Sequence, residues 1–142
     1  LVPVIAQTAA GLRDEVTVYG GDYNTADGTC VRDYVHVVDI AKAHVAAITR
    51  LIKKQNKEPL EIFNLGTGKG NTVLEVIHAF EKATGQKLKY NIGPRRNGDV
   101  EKVWADTTKA NSELGWKATL SLEDIVKSAW AWEKQLKASS AV

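Results

Sequence analysis

The chain has 142 residues, of which 44% are hydrophobic and 25% are charged, and its formal net charge is +2 at pH 7. This length and composition are those of one globular domain with a sizeable core. The small net charge argues against nucleic acid as a partner, and no apolar run approaches the roughly 20 residues that span a bilayer, so we expect no membrane partner either.

The N-terminal part of the chain predicts a helix, a strand, a loop and a second strand, in that order. Pro3 suits the first turn of a helix that ends at Gly11. Residues 16–19 are β-branched and aromatic and predict a strand, and residues 20–28 are dense in turn-forming residues. Residues 30–37 alternate in polarity and predict a second strand.

A long helix and a Gly-rich turn are predicted in the middle of the chain. Helical periodicity extends over residues 38–54, with a buried stripe formed by Ala41, Val45, Ile48 and Ile52. Residues 60–65 predict a strand that ends at the sequence GTGKG in residues 66–70. That sequence lacks the third glycine of a dinucleotide fingerprint and the Ser or Thr of a P-loop, so we interpret it as a tight strand-to-helix turn.

The C-terminal half of the chain continues the alternation of elements. A capping box predicts a helix over residues 72–84, and residues 87–91 predict a short strand. Residues 107–114 predict a short helix, and a second capping sequence at Ser121 starts the last helix. The whole pattern predicts an α/β fold with a small mixed sheet and about five helices.

Two arginines stand in Gly- and Asp-rich loops at element boundaries. Arg32 lies within DGTCVRDY (residues 27–34), and Arg96 lies within GPRRNGD (residues 93–99). A guanidinium is a planar fork of donors that suits phosphate, so two forks from distant loops predict a site that holds a diphosphate. The alternative is that both arginines are ordinary surface residues, as loop arginines usually are.

Other candidate residues each allow two interpretations. Tyr19 stacks on a base or closes the sheet, and Asp99 accepts from a sugar hydroxyl or stabilises its own turn. Asp33 braces its loop or acts as an acid, with bracing favoured. The single Cys30 fits a reducing cytoplasm and a half-buried strand position better than a nucleophile. The three histidines lack ligand spacing, so no metal site is expected.

Several motifs are spread over nearly the whole chain. They are LVPVIAQ (residues 1–7), VYGGDY (18–23), DGTCVRDYVHVVDIA (27–41), NLGTG (64–68), PRRNGD (94–99) and WAD (104–106). Together they resemble the UDP-glucose 4-epimerase (UDP-galactose 4-epimerase) family of extended short-chain dehydrogenases. The segment around Arg32 is the most specific of them, whereas NLGTG is shared more widely.

The resemblance implies an isomerase that uses NAD. In that family, hydride leaves C4 of a UDP-hexose and returns to the other face, which interconverts UDP-glucose and UDP-galactose. The Tyr-x-x-x-Lys pair and the NAD-binding Gly-x-x-Gly-x-x-Gly turn of the family do not occur in these residues. We therefore expect no catalytic or cofactor-binding residue in this chain.

The chain contains no methionine and opens in the middle of a pattern. We therefore expect residues 1–142 to be the UDP-sugar-binding C-terminal domain of a longer chain, without its N-terminal Rossmann half. The isolated domain is expected to be inactive, and the parent enzyme is expected to be a cytoplasmic homodimer.

The resemblance also implies roles for individual residues. Arg32 and Arg96 would contact the diphosphate, and Asp99 would accept a hydrogen bond from the ribose. The residues flanking the uracil would be Leu1, Thr17 and Tyr19. Val103 occupies the position that sets the room around the sugar, where a tyrosine restricts the family to plain hexoses. A smaller residue there predicts some tolerance of UDP-N-acetylglucosamine.

Two other functions stay open at this point. One is another nucleotide-sugar enzyme, such as a decarboxylase, a dehydratase or a pentose epimerase. The other, from a different class, is a module that binds UDP-sugars without catalysis.

Overall fold

The computed structural model describes residues 1–139. In chain order the elements are α1 (Val2–Ala9), β1 (Val16–Tyr19), β2 (Val31–Arg32), α2 (Val37–Ile52), β3 (Asn71–Thr72), α3 (Val73–Thr84), β4 (Tyr90–Gly93), β5 (Lys102–Val103), a π-helical turn (Ala110–Leu114) and α4 (Leu122–Ser139). Four α-helices and the π-helical turn thus alternate with short strands in the described part of the chain. The predicted α/β fold with about five helices is confirmed.

The strands form two small sheets, which place the loops of interest. In one sheet β1 pairs parallel with β4, and Tyr19 lies opposite Gly93. In the other, β2 is the central strand, antiparallel to β3 and parallel to β5. Arg32 therefore lies on a central strand, and the loop that carries Arg96 begins where β4 ends.

The ends of α3 follow from local sequence signals. Thr72 Oγ1 accepts from the Glu75 N–H at 3.1 Å, and a Glu75 carboxylate oxygen accepts from the Thr72 N–H at 2.8 Å. This reciprocal pair satisfies two backbone donors that the first helical turn leaves open. Gly85 ends the helix with a φ of 72°, a left-handed conformation that costs glycine little.

The main apolar core lies between α1, α3, α4 and β1. Its buried members are Ile5, Ala6, Val16, Val18, Val76, Ile77, Phe80, Leu88 and Val126. The rings of Phe80 and Trp130 meet edge to face, with centroids 5.9 Å apart. Because Val16 and Val18 are held in this core, the alternate residues Thr17 and Tyr19 of β1 point to its other side.

Several predicted strands differ from those observed. Of residues 30–37 only Val31–Arg32 is paired, and α2 already begins at Val37. The cause is a local cap, since His36 Nδ1 accepts from the Val38 N–H at 3.0 Å. The strand predicted at residues 87–91 is β4 at Tyr90–Gly93, and the helix predicted at residues 107–114 is the shorter π-helical turn.

The strand predicted at residues 60–65 pairs with no strand within residues 1–139. Leu60 and Ile62 are exposed there. The segment is tied to the rest of the chain through side chains. The Arg50 guanidinium donates to both carboxylate oxygens of Glu61, at 2.7 and 2.9 Å, and to the Glu113 carbonyl at 3.0 Å.

The buried stripe predicted for α2 is wrong. Ala41, Val45, Ile48 and Ile52 are all exposed, with Val45 at 65% and Ile52 at 76%. The helix instead turns Ala43 inwards, against Ala110 and Trp116. Trp116 Nε1 donates to the Asp39 carbonyl at 2.8 Å, and the buried Asp39 carboxylate accepts from the Thr119 and Leu120 N–H groups. These polar contacts fix the rotation of α2 with Ala43 inwards. Helical periodicity alone therefore predicted the wrong buried face.

Candidate nucleotide-sugar site

A cavity of about 440 Å³ opens at the start of α1, beside β1 and β2. Its lining includes six of the seven residues predicted for the site, namely Leu1, Thr17, Tyr19, Arg32, Arg96 and Asp99. The parallel pairing of β1 with β4 explains this meeting. The Gly20 N–H donates to the Gly93 carbonyl at 3.0 Å, which holds the loop after β4 against the end of β1.

The two predicted arginines converge on one carboxylate. Arg32 Nη2 lies 3.2 Å from Asp99 Oδ1, and Arg96 Nε lies 3.0 Å from Asp99 Oδ2. The Asp99 side chain is only 16% exposed, whereas that of Arg96 is 61% exposed. The structure therefore brings together two guanidinium groups that are 64 positions apart in the sequence, with an anionic group between them.

Arg32 is the better anchored of the two cations. Its Nη1 donates to its neighbour's carbonyl, Val31 O, at 2.8 Å. This bond fixes the direction of the guanidinium along β2. Arg32 is thus a preorganised donor, while the exposed Arg96 retains rotamer freedom.

Tyr19 lies beneath the more exposed of the two cations. The Arg96 guanidinium carbon is 4.7 Å from the centroid of the Tyr19 ring, a cation–π distance. Tyr19 is 40% exposed at the rim of the cavity. An aromatic face, a guanidinium plane and a carboxylate are thus available on one wall, which suits a planar base next to phosphates and hydroxyls.

Val103 lies outside this cavity. It lines a neighbouring open groove of about 430 Å³ together with Asn64 and Trp104. Arg32 lines both the cavity and the groove. The predicted site residues therefore fall into two spaces, with Val103 in the groove and the other six in the cavity.

Arg95 was not among the predicted site residues, yet it organises the rim. Its Nε donates to Asp22 Oδ1 and its Nη2 donates to the Asp22 carbonyl, both at 2.7 Å. Its guanidinium carbon lies 4.1 Å from the centroid of the Tyr23 ring. Hydrogen bonding to Arg95 lowers the pKa of the Asp22 carboxyl. Arg95 thus contacts Asp22 and Tyr23, whereas Arg96 contacts Asp99 and Tyr19. The two consecutive arginines in the sequence were the signal that could have identified Arg95.

The sequence predicted that Asp33 braces its own loop, whereas the structure shows its carboxylate bonded to the Gly-rich turn. Its carboxylate accepts from the Thr67 N–H at 3.0 Å, from Thr67 Oγ1 at 2.6 Å and from the Ala105 N–H at 3.2 Å. A Cβ at Gly66 would lie 2.3 Å from Asp33 Oδ2, so the turn needs a glycine there. The same carboxylate lies 3.3 Å from the Gly68 N–H.

These contacts argue against NAD at the Gly-rich turn. A dinucleotide turn aims its backbone N–H groups at a pyrophosphate. Here the Thr67 and Gly68 N–H groups already donate to Asp33. The residues of the turn therefore do not fit the cofactor.

Residues 1–139 contain no group of three or more His, Cys, Asp or Glu side chains placed to hold a metal ion. Within the same residues, no helix has the length and apolarity needed to cross a membrane. Cys30 is buried directly before β2 and lines the cavity wall.

Comparison with known proteins relates the chain to nucleotide-sugar enzymes. The sequence profile of the GDP-mannose 4,6 dehydratase family matches residues 1–129. UDP-glucose 4-epimerase 1 from Oryza sativa subsp. japonica is 50% identical over 132 residues, and UDP-glucose 4-epimerase from Bifidobacterium longum subsp. longum is 52% identical over 133 residues. These alignments cover 93% and 94% of the chain but only 37% and 38% of the two relatives.

A solved structure is similar in fold as well as in sequence. It is that of UDP-glucose-4-epimerase from Stenotrophomonas maltophila with bound NAD and formylated UDP-arabinopyranose. The TM-score is 0.93 at 47% sequence identity, and the match covers 98% of this chain and 40% of the other. The chain therefore spans about two fifths of the length of the proteins that it matches.

Proposed function

We propose that this chain, which belongs to the GDP-mannose 4,6 dehydratase family of extended short-chain dehydrogenases, supplies the UDP-sugar site of a UDP-glucose 4-epimerase. The observation that carries the proposal is the convergence of Arg32 and Arg96 on the Asp99 carboxylate within the cavity. Relatives of about 50% identity that are UDP-glucose 4-epimerases support the choice of reaction.

The diphosphate would lie between the two guanidinium groups. Each charge-assisted hydrogen bond to phosphate contributes about 1.5–3 kcal/mol. Arg32, which is anchored by the Val31 carbonyl, would provide a fixed fork. The exposed Arg96 would adjust to the ligand.

The nucleoside would occupy the Tyr19 side of the cavity. Leu1, Thr17 and Tyr19 lie on that wall and would flank the uracil. Asp99 would accept from a ribose hydroxyl, because its carboxylate already faces the cavity between the cations. The sugar would then extend past Arg32 towards the groove that Val103 lines.

The hydride chemistry would belong to the rest of a longer enzyme. NAD, when bound by that part, would accept hydride from C4 of the sugar and return it to the other face. The residues of this chain would orient the UDP-sugar and would carry no proton or hydride. We propose accordingly that the chain alone is inactive, and that the parent is a cytoplasmic homodimer.

The partner would be the Rossmann half, covering an apolar face of this chain. The candidate surface consists of exposed aliphatic residues on the outer face of α2 and in the unpaired segment of residues 60–65, namely Val45, Ile48, Ile52, Leu60 and Ile62. Exposed aliphatic patches of this kind mark interaction sites. The relatives are about two and a half times longer than the chain, so a sheet edge and an apolar layer of the parent could cover it.

Val103 gives a prediction about the sugar. A valine at a position where the family carries tyrosine to restrict the pocket would leave room for an N-acetyl group. We propose some turnover of UDP-N-acetylglucosamine by the parent enzyme. A chimaera that turns over UDP-galactose but shows no detectable turnover of the N-acetyl sugar would contradict this.

The catalytic part of the proposal can be tested with a chimaera. The matched segment of the Bifidobacterium longum UDP-glucose 4-epimerase would be replaced by this chain, to which it is 52% identical. We expect interconversion of UDP-galactose and UDP-glucose. A folded, NAD-loaded chimaera that binds UDP but does not interconvert the sugars would contradict the proposal.

The binding part can be tested on the 142-residue chain itself by NMR titration with UDP. We expect weak, roughly millimolar binding with shifts at Arg32, Tyr19 and Arg96, because the site is only partly enclosed. Micromolar binding would favour a stand-alone binding module. No shift at these residues at millimolar UDP would overturn the site.

A second candidate is another nucleotide-sugar enzyme, which is favoured by the family profile, named for a dehydratase. A pentose epimerase is a further option, since a similar structure contains a UDP-arabinopyranose derivative. The chimaera separates these candidates if its products from UDP-hexoses and UDP-pentoses are compared.

A further inference from the structure

We infer that Asp99 is an internal counter-anion that makes the site select a nucleoside diphosphate over free pyrophosphate. The inference rests on the proposed function and deepens it, because it assigns the discrimination to one carboxylate. Before a ligand binds, the Asp99 carboxylate is the anion that pairs with both guanidinium groups, and a ligand has to take over these bonds.

The geometry places Asp99 where a bridging anion would lie. Each of its two carboxylate oxygens is bonded to a different guanidinium, at 3.2 Å to Arg32 and at 3.0 Å to Arg96. These bonds hold together two cations that would otherwise repel each other. A phosphate that takes both guanidinium groups must therefore compete with a carboxylate that is already in position.

The backbone at Asp99 belongs to a closed turn. Its own N–H donates to the Arg96 carbonyl at 3.2 Å, and Gly98 adopts a φ of 80° to close the turn. The side chain is mostly buried. A ligand thus arrives at a site that retains a fixed negative charge at its centre, rather than at an open pair of cations.

The retained charge penalises ligands that offer only phosphate. Pyrophosphate would take the arginines and leave the Asp99 carboxylate without donors and close to another anion. A mostly buried charge that loses its hydrogen-bond partners is costly, and like charges repel. A nucleoside diphosphate can compensate, because a ribose hydroxyl donates to the same carboxylate. Discrimination then comes from a penalty on the wrong ligand as well as from attraction to the right one.

The test compares two probes, UDP and inorganic pyrophosphate, in magnesium-free buffer by NMR titration of the 142-residue chain. In Asp99→Asn, which keeps the shape of the side chain, we expect pyrophosphate to bind about fivefold tighter and UDP about threefold weaker. The ratio of the two dissociation constants should therefore change by at least about tenfold. Asp99→Ala should shift the ratio in the same direction, and amide spectra of both variants establish that they fold.

Glu123→Gln is the matched control. Glu123 lies exposed at the start of α4, pairs with Lys127 and is not among the residues that line the cavity. The substitution removes the same charge, and we expect the ratio to stay within about twofold because the carboxylate is not between the cations.

The outcomes separate this inference from the proposed function. If the unsubstituted chain binds UDP but both ligands weaken equally in Asp99→Asn, Asp99 only positions the arginines and the inference is wrong. An equal gain for both ligands, or an unchanged ratio, also overturns it. If the unsubstituted chain shows no shift with either probe at millimolar concentration, the proposed function itself fails.

Discussion

Two regions of the chain differ in whether their side chains find partners within the described residues. They are the cavity around Arg32 and Arg96, and the outer face of α2. In the cavity, the charged groups find partners within residues 1–139, since Arg32 and Arg96 both bind Asp99 and Arg95 binds Asp22. On α2, by contrast, Ile48 and Ile52 are 56% and 76% exposed.

A chain can therefore pair the charged groups of one region while leaving the apolar side chains of another region exposed. Hydrogen bonds and ion pairs are short-ranged, so a few loops suffice to place the arginines. Burying an aliphatic face needs a second layer of structure, and the adjacent residues 60–65 supply none. The side with the cavity is thus organised by residues of this chain, and we propose that the α2 face is covered by the rest of the parent.

The largest expected effect is a difference in the free energy of unfolding between two Ile→Ala variants, one in the apolar core and one on the exposed face of α2. Ile77 of α3 is 0% exposed, and Ile48 lies on the outer face of α2. We expect Ile77→Ala to lower the free energy of unfolding by about 2–5 kcal/mol, because it leaves a cavity in the core. Ile48→Ala should change it by less than about 0.5 kcal/mol.

Urea denaturation of the 142-residue chain measures both values. Equal losses for the two variants would mean that the α2 face is already buried in solution, for example by a second copy of the chain. Sedimentation at several concentrations would then identify that copy.

The next largest effect is expected at the cation pair. In the chimaera described above, Arg32→Ala should lower kcat/KM for UDP-galactose by roughly 10–100-fold, equivalent to about 1.5–3 kcal/mol. Arg32→Lys should recover only part of this, since an ammonium cannot reproduce the planar fork.

Lys89→Ala removes one positive charge from an exposed position outside the cavity and is the control. We expect it to have little effect on kcat/KM. A similar loss in the control would reduce the role of Arg32 to general electrostatic attraction and weaken the contrast between the two regions.

The smallest effect concerns the link between α2 and residues 60–65, and it depends on pH. Hydrogen bonding from Arg50 lowers the pKa of Glu61 from its ordinary value of about 4.5 to about 2 in the folded chain. A depressed carboxyl pKa stabilises the folded arrangement above the unfolded pKa, and this contribution is lost as the pH falls towards about 2. We therefore expect the Lys57 N–H, which donates to a Glu61 carboxylate oxygen at 3.1 Å, to lose protection from hydrogen exchange as the pH falls from about 4.5 to about 2.

Glu61→Gln should remove this pH dependence and leave the segment less protected at neutral pH. Exchange rates corrected for the intrinsic effect of pH provide the measurement. An unchanged pH profile in Glu61→Gln would mean that the segment is held by other contacts, such as the bond from Lys109 Nζ to the Ile62 carbonyl.

Local signals in the sequence determined much of this protein. The capping box at Thr72 and the β-branched residues 16–19 specified α3 and β1, because their hydrogen bonds and side-chain preferences act within a few residues. The family motifs indicated the family and selected Arg32 and Arg96 as candidates, and their binding role stays a prediction. Asp33 was predicted to brace its own loop, and its bonds to the Gly-rich turn came only with the structure.

Tertiary structure alone decided the rest. Helical periodicity identified Val45, Ile48 and Ile52 as one face of α2, but only the contacts of Asp39 and Trp116 showed that this face points outwards. Both arginines bond to one carboxylate, and Val103 lines a separate groove, because of how β2, β4 and β5 come together. A sequence pattern reports which residues share a face or a turn. Long-range packing decides which groups meet, because these contacts join segments that are far apart in the sequence, as Arg32 and Asp99 are.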